Sequence, residues 1–255
     1  MSLTPEEIDR HRRHILLKEI GGPGVQKLRA ASVSIIGAGA LGGPCALYLA
    51  GAGIGHIEIW DDDRVEGSNL QRQVQFGESD IGASKAGALA ARLRAIDHTL
   101  KVEPVLRRFA PGEAPAGGIL VDASDNFPTR FALNRLAHET ARPLISGAAS
   151  GWTGQVSVFA SGLLPSAPCY QCWVPEPPPA AEACDEIGVA GPVTGLTGSA
   201  MALEVLKRAV GAGSPLIGRV LLIDGLAGTA RTVQLRRDLQ CPLCKAPPEH
   251  LTPRL

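Results

Sequence analysis

Four of the six cysteines fall into two Cys-x-x-Cys pairs, Cys169-Tyr170-Gln171-Cys172 and Cys241-Pro242-Leu243-Cys244. Two such pairs supply a closed tetrahedral set of thiolates, the donor set of a structural zinc ion. Redox dithiols or disulfides are the competing reading, but neither pair follows a strand-to-helix turn of the thioredoxin sort. A second concentration of chemistry lies earlier: the acidic run Asp61-Asp62-Asp63, then Asn69-Leu70-Gln71-Arg72-Gln73, then Lys85. Cations and amides directly after an acidic cluster suit a triphosphate whose charge must be neutralised while it is attacked. Standing alone, such a segment would read as a solvated polar loop. A third group is Asp122-Ala123-Ser124-Asp125-Asn126. Here Asp125 is placed to hold Mg²⁺ between phosphates, leaving most of the ion's shell to water and phosphate oxygens. The alternative is that one of these acids, or Asn126, caps the helix that follows, and Asp122 reads as structural.

The elements that must position these groups follow from patterning. Val33-Ser34-Ile35-Ile36 is a β-branched run that enters Gly37-Ala38-Gly39-Ala40-Leu41-Gly42, a G-x-G-x-x-G turn, and Pro44 to Ala52 continues with helical spacing. Gly37 and Gly39 lack the Cβ that would keep a phosphate from the backbone, and Gly42 allows close packing where helix N–H groups favour an anion. A second strand, Gly55 to Trp60, ends at Asp61, about twenty residues past the turn, where a doubly wound fold brings an acid to a ribose. On glycines and acid alone the default ligand is NAD or FAD, but Arg72 and Lys85 argue for ATP. Further elements are a helix from Ser79 or Asp80 to Asp97, strands over 101–109, 117–122 and 143–146, and a helix over 127–141. This alternation predicts a Rossmann-like parallel sheet with helices on both faces through residue 146. Beyond it, 155–160, 218–224 and 229–236 read as antiparallel strands, with a Pro-rich crossover loop over 165–192 and a helix over 193–210. The expectation is one mixed sheet in a single domain. It comprises an N-terminal helical arm (1–30, broken by Gly21-Gly22-Pro23-Gly24), a nucleotide-binding half (31–146) and a second half (147–255).

The 255 residues carry 25 basic and 25 acidic side chains, so nothing suggests electrostatic capture of nucleic acid or an anionic membrane. No apolar leader or spanning segment is evident, and the cysteine usage agrees with a cytoplasmic protein. Cys45 reads as core. Cys184, in Ala183-Cys184-Asp185-Glu186 on the crossover loop, stands where a thiol could reach a bound partner; neighbouring acids oppose thiolate formation, and its role stays open. Arg10-His11-Arg12-Arg13-His14 reads by default as a solvated helix face.

Taken in order, R-x-x-R-H, G-A-G-A-L-G, D-D-D, S-N-L-Q-R-Q, a downstream Lys, D-A-S-D-N, G-Q-V-S-V-F, C-Y-Q-C-W, a loop Cys and C-P-L-C resemble the ThiF/MoeB/HesA family over nearly the whole chain. The resemblance implies ATP and Mg²⁺. It also implies adenylation of the C-terminal glycine carboxylate of a small ubiquitin-fold sulfur carrier protein ending in Gly-Gly, release of pyrophosphate, and a homodimer. By it, Gly39 and Gly42 approach the phosphates, Asp61 binds the ribose, Arg72 and Lys85 grip the triphosphate and Asp125 positions Mg²⁺. Gly37, Asp63, Asn69, Gln71 and Asn126 complete the nucleotide site. Cys169, Cys172, Cys241 and Cys244 would hold zinc, and Cys184 resembles the family's loop cysteine, which in the thiamine branch links to the carrier. Arg13 resembles the arginine that the arm lends to the neighbouring subunit, which replaces the solvated-face reading. His11 departs from the family's usual Tyr. The sequence holds no rhodanese-like extension, so a separate sulfur donor protein is expected. Trp173 leans toward the thiamine branch over the molybdopterin one. The alternative is an NAD(P)-dependent oxidoreductase, for which no Tyr/Lys or His pair is evident; a binding module that had lost its chemistry would not be expected to keep Arg13, Arg72, Lys85 and Asp125.

Overall fold

A computed structural model describes residues 3–176 and 188–245. Its strands are β1 Ser32–Ile36, β2 His56–Trp60, β3 Lys101–Val105, β4 Ile119–Asp122, β5 Leu144–Ser150, β6 Thr153–Phe159, β7 Arg219–Asp224 and β8 Thr229–Gln234. They form one sheet in the order β3-β2-β1-β4-β5-β6-β7-β8. The first five lie parallel and the last three return antiparallel, as the change of patterning after residue 146 implies.

The helices are α1 Pro5–Arg10, α2 Arg12–Ile15, α3 Gly21–Ala30, α4 Gly42–Ala52, α5 Lys85–Ile96, α6 Phe127–Glu139, α7 Tyr170–Trp173 and α8 Gly191–Val210. They cover both faces, because successive strand residues point to opposite sides and both sides are apolar. Ile35 packs with Leu28, Cys45, Leu49, Leu89 and Met201 on one face. Its neighbour Ile36 packs with Leu120, Leu133, Phe159 and Tyr170 on the other. Cys45 is wholly buried, which pushes its thiol up to about 12 and leaves it inert packing. Among the described residues no helix is long and apolar enough to cross a membrane.

Three expectations about element boundaries need correction. Gly21-Gly22-Pro23-Gly24 does not break the arm but opens α3. Pro23 lies in the first turn, where no helical N–H is lost, and a Cβ on Gly24 would sit 2.8 Å from Ile20, so the bare backbone leaves room for the Ile20 side chain against that turn. The helix expected from residue 79 or 80 begins at Lys85, because the Gly82 N–H donates to the Val65 carbonyl and the Val65 N–H to the Ala83 carbonyl, and Ser84 caps the helix by accepting from the Gly87 N–H. Strand β5 runs on to Ser150 and forms a hairpin with β6, which the short apolar run over 143–146 did not reveal.

Candidate active site

The chain leaves β1 for α4 at one edge of the sheet and β4 for α6 at the same edge, on adjacent strands whose connections run in opposite directions. Such a switch point leaves a crevice beyond the carboxyl ends of the strands. A cleft of about 560 Å³ lies there, of the size that holds a small-molecule ligand. Its walls contain Gly37, Gly39, Asp61, Asp63, Asn69, Gln71, Arg72, Lys85, Asp125 and Asn126, so residues spread over ninety positions of sequence converge on one space.

The glycine turn is built by two of its three glycines. Gly37 has φ +101°, and a Cβ on it would lie 2.5 Å from the Ala123 carbonyl oxygen; a Cβ on Gly42 would lie 1.8 Å from the Gly37 oxygen. Gly39 meets no such limit, since its nearest neighbour would be Gln73 Nε2 at 3.5 Å. The absence of a side chain at Gly39 therefore serves the cleft and not the turn. Gly42 packs the turn from behind, whereas Gly39 borders the cleft.

Asp61 locks this turn to β2. Its carboxylate accepts from the Ala38 N–H at 2.7 Å and from the Asp63 N–H at 2.8 Å. Burial nevertheless outweighs these bonds and raises its pKa from the ordinary carboxylate value. Asp63 accepts from Lys85 Nζ at 2.9 Å, and that lysine is nearly buried at the first turn of α5. Arg72 donates to the Ser68 carbonyl at 3.2 Å from a half-buried position, and Gln71 is exposed. Asn69 is buried and holds its own loop through the Glu66 N–H at 3.3 Å. It shapes the loop that carries Arg72.

The segment after β4 divides its labour. Asp122 is fully buried and carries four hydrogen bonds: from the Ser124 N–H and Oγ, from Ser146 Oγ, and from Arg130 Nη1 at 3.1 Å. Asn126 caps α6 by accepting from the Thr129 N–H at 3.0 Å and donates to Asp125 at 3.3 Å. Asp125 is exposed on the cleft wall. An exposed carboxylate supplies the hard oxygen that Mg²⁺ takes, and the cleft space around it suits an ion that keeps most of its waters. Arg130, whose guanidinium also donates to the Ser124 carbonyl at 2.6 Å, was not expected from the sequence. Its helical spacing from Asn126 was the available signal.

The arm and the cysteines lie elsewhere. Arg10 donates to the Ile96 carbonyl at 2.6 Å and His11 packs on Gly53, at the end of the sheet where β2 and β3 begin. Arg13 follows directly in α2, is exposed, and is not on the wall of its own cleft. The Sγ atoms of Cys169, Cys172, Cys241 and Cys244 all lie within 4.8 Å of one another, with 3.5 Å between Cys169 and Cys241 and between Cys172 and Cys244. A tetrahedral zinc with bonds near 2.3 Å needs sulfur edges of about 3.8 Å, so this set fits the ion. Hydrogen bonds from Cys169, Cys244 and the Asp238 N–H hold the Cys172 thiol down in pKa, favouring a thiolate. None of the four lines the cleft; they tie α7 to the segment over 241–244 beyond β8. Cys184 lies outside the described residues.

The ThiF family profile matches residues 11–243. The chain belongs to the ThiF family. Among relatives of this ThiF-family chain, the sulfur carrier protein adenylyltransferase of Thermus thermophilus is 41% identical over 252 residues, covering 96% of this chain and 93% of its own length. The SAMP-activating enzyme E1 of Haloferax volcanii is 40% identical over 250 residues, covering 96% and 91%. A crystal structure of E. coli MccB with MccA-N7isoASN superposes with a TM-score of 0.81 over 94% of this chain and 75% of that one; at 22% identity it speaks for the fold. Membership in the ThiF family sets aside the nicotinamide oxidoreductase reading.

Proposed function

We propose that this ThiF-family chain is an ATP-dependent adenylyltransferase that activates the C-terminal glycine carboxylate of a small ubiquitin-like sulfur carrier as an acyl-adenylate. The observation that carries the reading is the convergence in one cleft of a phosphate-accessible glycine, a ribose-side acid and two cations, on a chain of this family. The carboxylate oxygen of the carrier attacks the α-phosphorus, a C–O–P bond forms, and the bond from the α-phosphorus to the bridging oxygen breaks as pyrophosphate leaves. Negative charge grows on that leaving group. Arg72 and Lys85 face it from one wall, and Lys85 is already held by Asp63 in a fixed direction. Asp61 orients the ribose, and the Gly39 backbone lets the phosphates come close. Bound at Asp125, Mg²⁺ would neutralise phosphate charge. The wall formed by Ala148, Ala149, Ser150, Gly188 and Val189 consists of small side chains and backbone, which suits a narrow Gly-Gly tail.

Arg13 lies at the opposite end of the sheet from its own cleft, which supports the reading that it serves a second copy in a homodimer. A separate protein supplies the sulfur, and the four paired cysteines hold a structural zinc. Which carrier is used, in a thiamine, molybdopterin or other pathway, and whether Cys184 joins the transfer, are questions for reconstitution with candidate carriers. The test of the activity is pyrophosphate exchange with ATP, Mg²⁺ and a Gly-Gly-terminated carrier. Exchange is expected with the native chain and lost in Asp125→Ala. Exchange that survives this substitution refutes the Mg²⁺ role, and failure of every candidate carrier to support exchange refutes the activity.

A further inference from the structure

Gln75 lies just beyond the Arg72-Gln73 segment, is 5% exposed, and belongs to none of the groups described above. Its side-chain amide donates from Nε2 to two successive carbonyls of the glycine turn, Ala38 at 2.9 Å and Gly39 at 3.0 Å. Space for it is made across the turn: a Cβ on Gly43 would fall 2.2 Å from the Gln75 Cδ. The other amide atom, Oε1, is buried without a hydrogen-bond partner among the described residues. An orphaned buried acceptor costs about 1–3 kcal/mol, so an aliphatic side chain of this length would serve packing better. What glutamine adds here is the donor.

The consequence of that donor follows from peptide geometry. In a planar trans peptide the C=O and N–H point in opposite directions. The Ala38 carbonyl shares its peptide with the Gly39 N–H, and the Gly39 carbonyl shares its peptide with the Ala40 N–H. Holding both carbonyls on the Gln75 side therefore turns both N–H groups the other way. Gly39 and Ala40 both border the cleft, and among the described residues no protein acceptor takes either N–H. Successive N–H groups on one side of a turn form a concavity that receives an anion.

We propose that Gln75 is a positioning residue for the polyphosphate of the nucleotide: without touching the ligand, it fixes the direction of the Gly39 and Ala40 N–H groups. The proposal rests on the ATP reading above and adds to it a residue and a means. It makes a distinction that packing alone would not, because only the phosphate-bearing part of the ligand depends on these N–H groups, whereas the ribose is held by Asp61.

The experiment compares ATP and adenosine binding by calorimetry in the native chain, Gln75→Leu and Gln75→Met, with melting temperatures measured alongside. The expected result is an ATP affinity lower by on the order of tenfold in both variants, an adenosine affinity within about twofold of native, and a melting temperature that does not fall. In pyrophosphate exchange the KM for ATP rises and the KM for the carrier stays. Equal losses for ATP and adenosine, or no loss for either, overturn the positioning role while leaving the ATP reading standing. A native chain that binds neither ligand overturns both. The methionine variant, matched in length, covers the case in which the leucine variant fails to fold.

Discussion

Replacing Arg130 by methionine tests whether the floor of the cleft rests on a buried ion pair. The Arg130 side chain is 9% exposed and its partner Asp122 is 0% exposed, with 3.1 Å between them. The guanidinium also donates to Ser146 Oγ, the Gly147 carbonyl and the Ser124 carbonyl. Arg130→Met removes all of these at once and strands a carboxylate that only Ser124 and Ser146 then solvate. Breaking a buried pair from one side costs about 3–5 kcal/mol, a large share of the 5–15 kcal/mol or so that holds a typical domain together. Adding Asp122→Asn removes the stranded charge while keeping an acceptor for Ser124. The double variant is therefore expected to be more stable than the sum of the single losses, by about 1–3 kcal/mol. Urea unfolding with an unchanged m value provides the measurement. A loss below about 1 kcal/mol in Arg130→Met, or single losses that simply add, would refute the argument. Because Arg130 holds the carbonyl that precedes Asp125, Mg²⁺-dependent exchange should fall in the variant even where the protein remains folded.

Two further predictions concern the turn and the arm. Gly42→Ala forces a Cβ into the Gly37 carbonyl and is expected to cost about 3 kcal/mol or more, whereas Gly39→Ala meets only Gln73 and should melt near native while binding ATP more weakly; reversed outcomes would contradict the division of roles between these glycines. His11 is depressed in pKa, first by burial and then by His14 and Arg10, so the unfolded chain binds its proton more readily than the folded one. Stability contributed by the neutral ring is thus fully present above the unfolded value of about 6.5 and is lost as pH falls below it, and melting temperature should rise from about pH 5 to 7. His11→Tyr should flatten that slope, and an unchanged slope in the variant would assign it to other groups.

The order of chemistry along this chain is legible without coordinates because each signal is local. The glycine turn needs only six consecutive residues, a metal knuckle needs a Cys-x-x-Cys, and alternating apolar runs declare a parallel sheet whose return strands carry a different pattern. The same locality explains the misreadings. The glycines at 21–24 look like a break until the Ile20 side chain is seen packed against Gly24 in the first turn of α3, and residues 79–84 look helical until the backbone bonds of Gly82 and Ala83 to Val65 are seen.

What tertiary structure decided is which atoms of the motif do what. Sequence spacing puts Gly37 and Gly39 together as the phosphate-side glycines; only the packing of Ala123 against Gly37 separates them, leaving Gly39 as the one whose missing side chain the turn does not need. Sequence reads Asp122 as structural beside Asp125; only the structure names its partner, since burial commits Asp122 to Arg130 and leaves Asp125 exposed. Gln75 carries no motif at all, and its relation to Ala38 and Gly39 exists because a loop 36 and 37 residues away folds back over the turn. Composition and spacing can specify which groups a site contains, since those are properties of the chain. The direction of a peptide N–H or the pairing of a buried charge depends on contacts between distant segments, and those exist only once the chain has folded.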